Sequence, residues 1–150
     1  MKLIHYSKER LSHLYSVPDQ LADPLHGWRA WKPRGLWLSI EGNGDGWLDW
    51  VRSEDWRVDQ YTIGTELELL EPQRVLHISS VGELDDFSNQ YVARQGTIVE
   101  APDWQRVAAS YKGIIIAPYI YERRLSCDWY YPWDCASGCV WDVSCLRIVQ

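Results

Sequence analysis

Two common core-filling residues are scarce in this chain: among 150 residues there is one Phe and one Met. Positive charge is scarce as well, with 15 Lys and Arg against 21 Asp and Glu and a net charge of −6. That balance excludes the broad basic field on which non-specific nucleic-acid adhesion depends, though not a local basic groove. No apolar run approaches the roughly 20 residues needed to span a bilayer. The N-terminus also lacks the apolar core of a signal peptide, so a soluble, cytoplasmic protein is expected. The four cysteines, at 127, 135, 139 and 145, do not pair as Cys-x-x-Cys. A zinc ribbon is thereby excluded, and disulfides are not expected in a reducing compartment. Buried thiols acting as small hydrophobes are the default, with a four-Cys zinc site as the alternative. What is abundant is indole and phenol: ten Trp and nine Tyr. Such rings make rigid cores and also suit flat ligands, sugars or bases. The length fits one domain, 1–150, able to bury about 70% of its unfolded surface.

The organising stretch is Lys32-Pro33-Arg34-Gly35-Leu36-Trp37-Leu38-Ser39. Pro33 fixes one backbone angle and extends Lys32. Gly35 permits a tight entry into a strand that is apolar through Ile40 and reads as covered on both faces. Trp37 can then present a wide face beside the turn. An earlier short strand, residues 2–6, ends in His5-Tyr6-Ser7. Between them, Pro18, Pro24 and Gly27 break a polar and aromatic connection that holds His13 and His26. Its end, Trp28-Arg29-Ala30-Trp31-Lys32, mixes rings with cations and could line a groove, or could simply stack at the surface.

After the Trp37 strand, Glu41-Gly42-Asn43-Gly44-Asp45-Gly46 is a glycine loop without the Lys-Ser/Thr of a Walker motif. Asp45 is read as the N-cap of a short helix, 46–52, with Trp47, Trp50 and Val51 on its apolar face. Residues 61–69 alternate as a strand with Tyr61, Ile63, Thr65, Leu67 and Leu69 on one face, and 74–79 form another strand. On the latter, His77 reads as a core or edge residue. Ser80 and Glu83 have capping-box spacing at the start of a helix, 81–92, whose face is Val81, Leu84, Phe87 and Tyr91. Pro102 and Asp103 open a helix over 104–111, followed by the apolar strand 113–117. The C-terminal part holds an aromatic loop with Asp134, the small residues Ala136, Ser137 and Gly138, and one or two closing strands over 139–149. Those small residues permit close approach of a ligand or a neighbouring chain.

An early strand ending in His-Tyr-Ser, and a later Gly-Leu-Trp-Leu-Ser strand followed by a helix, resemble the ADP-ribosyltransferase fold. The pattern from Trp104 to Ile114, Trp-x-x-Val-x-x-x-Tyr-x-Gly-Ile, is similar to a helix–strand unit of such domains. The resemblance implies an α+β fold with a split antiparallel β-sheet core and a few short helices. It implies NAD as cofactor and substrate, with His5 at the adenosine ribose. Trp37 and Ser39 would hold the nicotinamide, with Trp47 or Trp50 as a second ring, and Tyr6, Ser7 and Gly35 would belong to the same cofactor site. A carboxylate would come from near the last strands. No Glu stands at the expected strand start, so Asp134 is the first candidate for the catalytic acid and Asp142 the second. Small stand-alone transferases of this kind are toxins, phage products or defence factors that modify a protein or nucleic-acid acceptor. A neutralising partner protein belongs to that setting.

A plainer reading makes His5, Trp37 and Ser39 ordinary strand residues and Asp134 a turn cap. The alternative function is a non-catalytic Trp-rich module for nucleotide, carbohydrate or a protein partner, with exposed rings over a shallow surface. An RNA-repair or phosphotransfer relative would need several basic pocket residues, for which Arg34, Arg123 and Arg124 are the candidates.

Overall fold

Ten elements arise in chain order in the computed structural model, which describes residues 1–20, 31–57, 59–92 and 100–150. They are β1 (Lys2–Ser7), β2 (Leu36–Glu41), α1 (Trp47–Ser53), β3 (Ile63–Leu69), β4 (Val75–Ile78), α2 (Val81–Tyr91), α3 (Trp104–Ser110), β5 (Gly113–Ile116), β6 (Ser137–Val140) and β7 (Leu146–Ile148). The class is α+β. Among the described residues the strands form one sheet in the order β4-β5-β6-β2-β1-β3-β7. The resemblance implies a split antiparallel core, whereas the described strands form one continuous ladder in which β4 and β5 run parallel. The reason lies in the connection: α2 and α3 both fall between β4 and β5, giving the long crossover that a parallel pair requires.

β1 is not zipped to both neighbours over its whole length. It pairs with β3 from Leu3 to Ser7, but with β2 only from Lys2↔Glu41 to Ile4↔Ser39. β2 turns its first half to β6 instead, pairing Leu36↔Val140 through Ser39↔Ser137. The two strands therefore part at His5, and the opening between them positions the site described below.

The apolar strand 113–117 expected from sequence is β5, buried at all four of its residues. Helix α2 lays Leu84, Phe87 and Tyr91 into the core, and α3 adds Trp104 and Val107. Rings then run through the protein in contact: Trp37 with Trp133, Trp133 with Trp129, Trp129 with Phe87, and Phe87 with Trp104, at centroid separations of 5.0, 6.2, 5.1 and 5.7 Å. Most of the aromatic excess thus goes into packing, where offset and edge contacts add to buried area.

The expected caps of α2 and α3 form, with one change of partner. Ser80 Oγ accepts from the Glu83 N–H at 3.2 Å, but the Glu83 carboxylate accepts from the Ser79 N–H rather than that of Ser80. Asp103 Oδ1 accepts from the Arg106 N–H at 3.1 Å. Asp45 is not the N-cap of α1, a position taken by Gly46. Its carboxylate instead accepts the Tyr119 N–H at 2.8 Å, tying the glycine loop to the chain beyond β5. His77 is exposed on β4, the end strand of the sheet order. Readings that fell on Pro24, His26, Gly27, Trp28, Arg29 and Ala30 lie outside the described residues.

The small residues 136–138 serve the sheet. β6 is an interior strand, and a Cβ on Gly138 would stand 2.8 Å from the Ile114 carbonyl oxygen. The close neighbour of Gly138 is therefore the β5 backbone, while Ala136 bonds to Asp45 and Ile40 and Ser137 also lines the cavity described below. Replacing Gly138 with Val should lower stability by about 1–3 kcal/mol, because the strand must move to admit the side chain. By contrast, Gly82 faces open space near the start of α2, so Gly82→Ala should raise stability by up to ~1 kcal/mol. Urea titrations of the two variants beside the wild type would check both signs.

Candidate functional site

A cavity of about 360 Å³ opens where β1 and β2 separate. Small-molecule sites are commonly about 300–1,000 Å³. β1 contributes His5 and Tyr6 to its lining, and β2 contributes Trp37, Leu38 and Ser39. Lys32 reaches in from the turn before β2, and Asp134 and Cys135 from the segment before β6. Trp47, Trp56 and Tyr61 complete an aromatic wall. The three side chains on which the sequence argument rests, His5, Trp37 and Asp134, thus share one cavity.

His5 bridges the parted strands. Its Nδ1 lies 2.7 Å from the Trp37 carbonyl oxygen, which can only accept, so Nδ1 carries the proton. Neutral imidazole in that tautomer leaves Nε2 as an acceptor, suited to a hydroxyl donor. Trp37 is half-buried, its face near the Lys32 ammonium at 4.9 Å and its ring in edge contact with Trp133. Trp47 stacks on Trp50 at 5.4 Å, and Trp56 closes on both at 5.5 and 5.6 Å. Trp50 supports this wall from behind and does not itself line the cavity.

Ser39 lines the cavity, but its hydroxyl is committed on both sides. It donates to Glu41 Oε1 at 2.6 Å and accepts from the Trp47 N–H at 2.7 Å. It retains one acceptor lone pair and no donor for a ligand. The same Glu41 accepts from Tyr6, whose phenol is pushed up to about 12 by burial first and by this carboxylate second. Glu41, which from sequence was only the start of a glycine loop, therefore joins β1, β2 and the entry to α1. The Gly46 backbone comes so close that a Cβ there would meet this carboxylate at 2.8 Å.

Asp134 is half-buried. Burial raises its carboxyl above the ordinary range, while Lys32 and Arg124 oppose that rise and Glu54 adds to it. Burial also lowers the Lys32 ammonium, with Asp134 the main opposing influence. The Cys135 thiol is pushed up to about 12 by burial, so it is a lining group and no thiolate nucleophile.

Besides Trp50, three of the proposed site residues stand outside the cavity lining. Asp142 is outside the cavity: its carboxylate caps a turn of 3₁₀ helix through the Ser144 N–H at 3.1 Å. Hydrogen bonding to Ser144, through its side chain first and then its N–H, holds the carboxyl below the usual range, ahead of the nearby Lys112. Ser7 donates its hydroxyl to the Glu9 carbonyl. Gly35 acts through space it does not fill, since a Cβ there would lie 2.5 Å from the Val140 carbonyl oxygen. None of Arg34, Arg123 and Arg124 lines the cavity, and Arg123 is paired with Asp85 at 2.8 Å. Sequence reasoning left Trp56 and Tyr61 out of the site; it did place a cation and rings together at Trp31-Lys32. Among the described residues no three His, Cys, Asp or Glu side chains gather as a metal site, the four cysteines included. No helix of the described residues is long and apolar enough to cross a membrane.

The raised Asp134 carboxyl has a thermodynamic sign. The folded protein binds this proton more tightly than the unfolded chain does, so stability falls as pH rises through the raised value. Asp134→Asn should therefore raise the thermal midpoint at pH 7. The gain should shrink as pH falls from the raised value toward the ordinary Asp value of about 3.9, and be gone below it. Melting curves of both proteins from acid to neutral pH would check this, and an unchanged or reversed gap would contradict it. Compared with known proteins, the chain matches no family model, no curated protein and no solved structure.

Proposed function

We propose that the protein transfers ADP-ribose from NAD to a macromolecular acceptor, protein or nucleic acid, and releases nicotinamide. The observation that carries this reading is the shared cavity of His5, Trp37 and Asp134. The parting of β1 from β2 supports it as well, since it opens the cavity that these residues share.

In this reading the oxidised nicotinamide, a planar cation, lies on Trp37, whose indole face attracts positive charge better than a phenol or phenyl. The carboxamide N–H donates to the free lone pair of Ser39 Oγ. His5 Nε2 accepts from a ribose hydroxyl. The bond between ribose C1 and the ring nitrogen breaks, and its electron pair leaves with nicotinamide, which becomes neutral. Positive charge develops on the ribose, as in glycoside cleavage. The Asp134 carboxylate stabilises that charge, directly or through a ribose hydroxyl. Lys32 and Arg124 favour the ionised form that this role needs, against burial. A nucleophile on the acceptor then bonds to C1 and loses its proton.

A binding module without turnover is less well supported. It calls for exposed rings over a shallow surface with no acid facing them, whereas here Asp134 shares the ring-lined cavity. The deciding experiment incubates the protein with NAD labelled in the adenylate and with cell extract, then asks whether label joins protein, RNA or DNA. Asp134→Ala should lower turnover by about 10²–10³-fold, the usual cost of removing an electrostatic stabiliser, and change NAD affinity little. Turnover that survives that change would remove Asp134 from the mechanism. No labelling and no nicotinamide release by the wild type would end the transfer reading.

A further inference from the structure

Lys32 is a long basic side chain lining the cavity, and the proposed chemistry gives it no contact with substrate. Its ammonium lies 4.9 Å from the centre of the Trp37 ring. Burial disfavours the charge there, and the Asp134 carboxylate is the main group favouring it, followed by Cys135 and Cys139. An ammonium surrenders water only where something else replaces that hydration, and an indole face together with a carboxylate does so. Pro33 restrains the Lys32 backbone, while a lysine stem has several rotatable bonds. Trp47, Trp56 and Tyr61 line the same cavity, so the Trp37 face is a place where positive charge is welcome and a flat shape fits.

We propose that the Lys32 ammonium is the resident occupant of a planar-cation slot on the face of Trp37, and that a cationic aromatic ligand binds by taking its place. This rests on the reading of the cavity as an NAD site, whose oxidised nicotinamide is such a ring, and extends it to how that ring is selected. A neutral ring must displace the same ammonium without bringing a charge to replace it. Lys32 thereby competes with every ring for the slot at the same displacement cost, and the Trp37 face and Asp134, which its ammonium had satisfied, favour a charged ring over its neutral counterpart.

The test uses 1-methylnicotinamide, a permanent planar cation, and nicotinamide, its neutral counterpart. Titrations by calorimetry on the wild type should show the cation binding more tightly. Lys32→Met keeps the stem and removes the charge, so it should tighten 1-methylnicotinamide by roughly 3- to 10-fold, the scale of a desolvated cation–ring contact. An unchanged or weakened affinity in a folded variant would overturn the proposal. A second measurement needs no substitution at the site. In wild-type protein carrying ¹³C-methylated lysines, the signal missing from the Lys32→Met spectrum should be displaced upfield by the indole ring current. Adding 1-methylnicotinamide should return it to the position of an exposed lysine; a Lys32 signal that stays put while the ligand binds would overturn the proposal. The two readings separate cleanly. NAD cleavage with an unmoved Lys32 would sink the slot alone, whereas displacement of Lys32 without any NAD cleavage would sink the transfer reading alone.

Discussion

β1 and β2 share backbone hydrogen bonds from Lys2 to Ile4 and then separate, and the imidazole of His5 spans the gap to the Trp37 carbonyl. That single bond fixes a sheet opened at one point. Buried backbone donors and acceptors must be satisfied, so strands cannot part in an interior without a substitute partner. On their outer sides β1 pairs with β3 and β2 with β6, and across the opening the His5 imidazole takes the Trp37 carbonyl. The cavity, the exposure of the Trp37 face and the approach of Asp134 all follow from this division of partners.

The aromatic residues divide along the same line. Trp104, Trp129 and Phe87 lie in the core beneath α2 and α3, and there they act as large, stiff apolar groups. Trp47, Trp50 and Trp56 instead stack beside the opening, with Trp56 exposed to solvent. Trp37 and Trp133, in edge contact at 5.0 Å, connect the two sets. A polar seam runs alongside: Tyr6, Ser39 and the Trp47 N–H converge around Glu41 and Ser39 Oγ, holding α1 against β2. The opposing charges of Lys32 and Asp134 sit within this frame in partial burial, an arrangement that weakens folding slightly while preparing a field for a charged ligand.

Much of the local structure was legible in the sequence, because it depends on neighbours in the chain. Ser80 and Asp103 announce the starts of α2 and α3, and Ile114 to Ile116 announce a buried strand. Strand order was not legible, since pairing is decided between distant segments. The last strands read as closing the sheet; β7 does end the strand order, whereas β6 lies inside it, where Gly138 stands close against Ile114. Asp45 shows the same limit: its type and position suit an N-cap, but a distant amide at Tyr119 claims its carboxylate. At the site, His5, Trp37 and Asp134 could be named from residue type and a family likeness. Trp56, Tyr61 and the bracing role of Glu41 depend on how the loop after α1 folds back, which no local pattern encodes.

The indole N–H resonances of the ten tryptophans give the most direct check on the account as a whole. In a ¹⁵N spectrum recorded during titration with NAD, the signals of Trp37, Trp47 and Trp56 should shift together along one binding curve. Those of Trp104, Trp129 and Trp141, set in the core away from the cavity lining, should remain in place. A saturable shift confined to the core set, or no shift at millimolar NAD, would contradict the assignment of this opening as a dinucleotide site.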